Sequence, residues 1–114
     1  MKKLVIHIFH AHEGAPDTGA KLSERIRMVA AERGVSLELF IFGPAIAALV
    51  DPAQPAFREA LAALVQQKVP VHVCQQTVEM MGKAEMLTNL GFGLEFGRDA
   101  FIRFALEGAT VISL

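Results

Sequence analysis

The chain has 114 residues, a formal net charge of −1, 53% hydrophobic and 20% charged residues, and no Trp or Tyr. That size fits a single domain spanning 1–114, and the charge balance excludes the basic field that a nucleic-acid partner needs. One cysteine excludes an internal disulfide or a C-x-x-C pair and fits a reducing, cytoplasmic setting. The apolar surplus over an ordinary soluble domain predicts surface left over for a second subunit, hence a homo-oligomer.

Leu4 to Phe9 is almost continuously apolar, the pattern of a central strand covered on both faces. His7 and His10 interrupt the run, which argues against a signal peptide. No apolar run approaches the ~20 residues of a membrane span. His7, in mid-strand, reads as a core histidine with its polar atoms satisfied. Ala11 to Thr18 reads as a loop, with Asp17 or Thr18 as helix cap. Leu22, Ile26 and Val29 recur at i, i+4 and i+7 in a helix ending near Gly34.

Val35 to Phe42 is a second strand, broken by Gly43-Pro44, and Ala45 to Val50 a short helical turn. Pro55 opens the next helix, with Phe57, Leu61, Leu64 and Val65 as its buried stripe. Val71 to Val73 is a short strand, and Cys74 ends it or follows it. Gln75 to Met81 and Lys83 to Leu90 read as short helices, and Phe92 to Phe96 as a brief strand. A helix over Arg98 to Glu107 and a strand over Ala109 to Leu114 complete the chain. Strands alternating with helices predict an α/β, doubly wound, mainly parallel sheet of about five strands with helices on both faces.

Ligand sites in such sheets lie beyond the carboxyl ends of the strands, where His10 to Thr18 and Cys74 to Thr77 fall. A thiolate at the start of a helix meets backbone amides without intrahelical partners and the positive end of the helix dipole. The same amides suit a persulfide anion, and Gln75, Gln76 and Thr77 add polar contacts. The opposing reading makes Cys74 a small buried hydrophobe. His72, two residues earlier on the same strand face with its Cα roughly 6.6 Å away, is either a modulator of the thiol or a core or interface residue. His10-x-His12, with Glu13, offers two imidazoles that serve as metal ligands, as a polar pocket wall, or simply as solvated loop. Met80, Met81 and Met86 read as core or subunit contact. No phosphate loop and no Gly-x-Ser-x-Gly elbow is present.

Together KKLVIHIFH, LELFIFGPAIAALV, VPVHVCQQTVEMMG and EFGRDAFIRFALEGATVISL, in that order and spacing, resemble the DsrE/DsrF-like family, the small α/β proteins of sulfur-relay systems. The form Cys74-x-x-Thr77 after a Val-rich strand is similar to a single-cysteine branch. The resemblance implies homo-oligomers, commonly trimers or hexamers, and a sulfur carrier or sulfurtransferase whose catalytic residue is Cys74. It implies sulfur-donor and sulfur-acceptor partner proteins, with no metal or organic cofactor required. The alternative within the same fold is a non-catalytic oligomeric module that binds a small molecule or partner between the 10–18 loop and the helix after Cys74. The histidine-rich loop HAHEGAPDTGA is not a feature of the family.

Overall fold

The computed structural model describes all 114 residues. Its five strands are β1 (Lys2–Ile8), β2 (Val35–Ile41), β3 (Val71–Cys74), β4 (Gly93–Glu95) and β5 (Thr110–Ser113). Every neighbouring pair is parallel, in the order β4-β3-β2-β1-β5. The helices are α1 (Ala15–Ala30), α2 (Ala45–Val50), α3 (Pro55–Gln66), α4 (Gln75–Met80), α5 (Ala84–Asn89) and α6 (Gly97–Leu106). A short 3-10 turn, Ala31–Arg33, follows α1.

The connections from β1 to β4 all step the same way across the sheet, so right-handed crossovers keep α1 to α5 on one face. Only the β4-to-β5 connection steps back, which carries α6 to the other face. The packing agrees. Gly19 of α1 meets Ile8, whereas Phe101 of α6 meets His7, Phe40 and Phe42 on the opposite side of the pleat. One face therefore has several helices and the other a single ten-residue helix.

The central strands are sealed as their apolar runs require: Val5, Ile6, Ile8, Leu39, Phe40 and Ile41 are fully buried. The expected stripe of α3 packs through Phe57, Leu61 and Leu64. Two readings of α1 differ from the structure. It begins at Ala15 rather than after Asp17 or Thr18, because Pro16 sits in its first turn, where a missing N–H costs nothing, and left-handed Gly14 precedes it. Its buried positions are Pro16, Gly19, Ala20, Ser23 and Ala30; of the expected stripe, Ile26 packs half-buried against the core, Val29 is half-buried and Leu22 is exposed. Small side chains let the helix lie close on the sheet; a Cβ at Gly19 would fall 2.9 Å from Ile8 Cδ1. Ser23 meets its own polar demand by donating to the Gly19 carbonyl at 2.7 Å. Met80 is 81% exposed rather than core. No helix is long and apolar enough to cross a membrane.

Candidate functional site

Cys74 is the last residue of β3 and the N-cap of α4, with extended backbone angles of φ −60° and ψ 113°. Its Sγ caps none of the α4 amides. The one polar partner of the sulfur is Thr77, whose hydroxyl donates to it across 3.7 Å. Thr77 lies one helical turn on, so the Cys-x-x-Thr spacing brings hydroxyl and sulfur together.

The sulfur is less open than the sequence reading required, since Cys74 is only 4% exposed. Cys74 pairs with Glu95 across the β3–β4 ladder, and the chain then turns directly from β4 into α6. Phe96, Gly97 and Arg98 consequently stand beside the strand end. With Phe42 and Gln76 they enclose a cavity of about 440 Å³ that Cys74 also lines. The fit at Gly97 is close: a Cβ would approach the Phe42 ring to 3.1 Å, so the ring would have to shift by a few tenths of an ångström. As the first residues of a ten-residue helix, Gly97 and Arg98 have amides without intrahelical acceptors. The Arg98 guanidinium lies 5.8 Å from the Phe96 ring centroid, a cation–π pair beside the thiol cavity. The start of α6, a neighbour that the strand-end argument did not supply, thus forms one wall of the thiol cavity, with the exposed Arg98 also 3.5 Å from Asp99 Oδ1 through Nε.

The other named residues distribute unevenly. Gln76 lines the Cys74 cavity, and Gln75 opens α4 without lining it. His10 and His12 line a different cavity, with Glu13, Thr18 and Leu114, beyond the end of β1. No cavity joins the 10–18 loop to the start of α4, because β2 and its exit at Phe42 lie between them. His7 is 8% exposed; Nδ1 lies 3.0 Å from Ser113 Oγ, but buried Nε2 has no partner, so the ring is only half satisfied. Phe9, Phe40, Phe42 and Phe101 surround it.

His72 turns toward Glu38 on β2. Its Nδ1 lies 3.4 Å from Glu38 Oε2, long for a hydrogen bond, and has no other partner. Glu38 is 3% exposed and was not singled out from sequence. Arg103 of α6 donates to both of its oxygens and reaches Glu95 through Nε at 3.0 Å and Nη2 at 2.9 Å. Lys3 of β1 adds a bond to Glu38 at 3.1 Å and one to Glu107 at 2.8 Å. Burial works against ionisation of Glu38, but His72, Arg103 and Lys3 turned toward it outweigh that and hold its carboxyl far below the usual range. Glu38, His72 and Glu95 place ligand atoms within 4.8 Å of one another. Arg103 already holds both carboxylates, so the cluster is an ion network that fastens α6 to β2 and β4. A Glu inside VSLELFIF and an Arg inside FIRFAL, each out of place in an apolar run, were the available signal.

Comparison with known proteins adds the following. The family model described as DsrE/DsrF-like matches residues 3–114. No curated protein matches the chain significantly. Among solved structures, the ychN protein from E. coli superposes with a TM-score of 0.73 at 21% identity, with 100% of each chain covered. The protein of unknown function MTH1491 from Methanobacterium thermoautotrophicum gives 0.75 at 19%, again over 100% of both chains. BT1422, a conserved protein of unknown function from Bacteroides thetaiotaomicron, gives 0.73 at 14%, covering 96% of this chain and 94% of its own. At such identities these likenesses establish the fold.

Proposed function

Since the chain belongs to the DsrE/DsrF-like family, we propose that it is a sulfur-relay protein that carries sulfane sulfur as a persulfide on Cys74. The observation that carries this reading is the placement of the chain's single thiol in a cavity with Gln76, Phe96, Gly97 and Arg98. Family membership supports the reaction class, and the cavity supports the residue.

The chemistry balances without a cofactor. The Cys74 thiolate attacks the outer sulfur of a donor persulfide, the donor S–S bond breaks, and the donor leaves as its thiolate. Cys74 then holds S–SH. An acceptor thiolate attacks that outer sulfur, and Cys74 leaves as thiolate. No net oxidation occurs, and a single cysteine suffices because the resolving thiol belongs to the acceptor. The Thr77 hydroxyl donates to Sγ before attack and again when the thiolate leaves. The Gly97 and Arg98 amides, on the wall of the same cavity, are the donors we assign to a terminal persulfide sulfur.

Homo-oligomeric assembly belongs to the same proposal. Ile102, Leu106, Val111 and Ile112 on α6 and β5 are between 37% and 84% exposed, which supports it.

The deciding experiment incubates the protein with a low-molecular-weight persulfide and reads intact mass. The expected result is a gain of about 32 Da, one sulfur atom, lost on adding a thiol acceptor and absent in Cys74→Ser. An unmodified wild type, or an equal gain in Cys74→Ser, overturns the proposal and leaves a non-catalytic binding module.

A further inference from the structure

The geometry points to a second site on this chain: a divalent transition-metal site, of the Zn²⁺ class, built on the imidazoles of His10 and His12 beyond the end of β1. It is separate from the thiol. The strand order runs β4-β3-β2-β1 and then turns round to β5, so the reversal falls between β1 and β5. Open α/β sheets form their ligand crevice outside the carboxyl ends of the strands at that reversal. His10, His12 and Glu13 line a cavity of about 280 Å³ there, whereas Cys74 lies at the end of β3, two strands away.

The spacing of the two imidazoles fits a shared ion. Their ring centroids are 5.1 Å apart with an interplanar angle of 71°. Two imidazole nitrogens at about 2.0–2.1 Å from a tetrahedral ion hold their ring centroids roughly 5 Å apart. Turning either ring about its own axis leaves that separation unchanged.

The backbone that carries these two exposed imidazoles is held in place before any ion arrives. The amides of Phe9 and His10 both donate to the Leu114 carbonyl oxygen, at 2.8 and 3.1 Å, and the Ala15 amide donates to His12 O at 3.0 Å. The loop is thereby pinned at both ends. The Phe9 ring packs edge-on against His10, with centroids 5.0 Å apart. Phe9 itself fills the space left by Gly43, where a Cβ would fall 2.4 Å from its ring. A pair of imidazoles suits Zn²⁺, Cu²⁺ or Ni²⁺ better than Mg²⁺ or Ca²⁺, and water completes the coordination. The positive end of α1 opposes a cation here, and Glu13 before the helix with Asp17 in its first turn offsets it.

The test uses Zn²⁺ alone and removes the two competing donor sets first. Chelator-treated Cys74→Ser/His72→Asn protein is titrated calorimetrically with ZnCl₂, followed by the same protein carrying His10→Ala or His12→Ala. One ion per chain is expected in the parent, with affinity at least about tenfold weaker in either histidine variant. X-ray absorption of the wild-type Zn²⁺ complex should show imidazole and oxygen neighbours only. Loss of binding in the Cys74→Ser/His72→Asn parent, unchanged binding in the histidine variants, half an ion per chain, or a sulfur shell would each overturn the assignment. Because the titration is done without the thiol, its outcome is independent of persulfide transfer.

Discussion

At the scale of single residues, two buried polar groups both set acid-side limits, in different pH ranges. Glu38 is charged in the interior and held there by Arg103 and Lys3. Arg103→Ala leaves a carboxylate with 4% side-chain exposure facing only Lys3 and His72, and breaking a buried pair from one side costs about 3 kcal/mol. Urea unfolding should show that loss, and the double variant Arg103→Ala/Glu38→Leu should recover much of it. His7 is buried as the neutral form instead. Desolvation, with a smaller contribution from His10, lowers its pKa below the ordinary value. The unfolded chain therefore binds the proton first, so stability is full above about pH 6.5 and falls as pH drops below it. In His7→Leu, the urea midpoint should be flatter between roughly pH 6.5 and 5 than in wild type. The acid limb due to Glu38, which appears only below its unfolded range of roughly pH 4 to 4.5, should remain.

At the scale of elements, glycines decide how closely helices and loops approach the sheet. Gly43 is left-handed at φ 79°, and its missing Cβ is occupied by the Phe9 ring. Gly43→Ala adds backbone strain and a steric conflict, an expected cost of about 2 kcal/mol by thermal or urea unfolding. The same change should displace Phe9 and weaken any ion held by His10. Most element boundaries were legible from periodicity and punctuation, because Pro55, Gly82, Gly91 and Gly108 stand where helices begin or end. The face of α1 was not legible. Its apolar spacing named Leu22, which is exposed, but the closest approach to the sheet is made by Gly19 against Ile8, and hydrophobicity alone does not record a need for small size.

At the scale of the molecule, parallel topology was legible because strands and helices alternate, and that order fixed the strand end on which Cys74 lies. The environment of the sulfur was not legible. Phe96, Gly97 and Arg98 reach it only because α6 must recross the sheet from β4 to β5, a consequence of strand order that no local window contains. The single-helix face also leaves β5 exposed along its whole length, without a charged residue. An uncharged open edge favours pairing with another chain. Leu106→Glu/Ile112→Lys should lower the assembled mass measured by light scattering while leaving the circular dichroism of the fold unchanged.

The near-complete cover over Cys74 has a kinetic consequence. A reagent meets the sulfur only through the cavity that Cys74 lines with Phe42, Gln76, Phe96, Gly97 and Arg98, where the residue is 4% exposed, so its modification should be slower than that of a free thiol. Small and bulky alkylating agents should then diverge in rate far more than they do with a free thiol. Mild denaturant, well short of global unfolding, should accelerate both. Substitutions that fasten α6 more firmly should raise the urea midpoint and slow that modification together, because the residues that close the cavity over the sulfur are the first turn of the same helix.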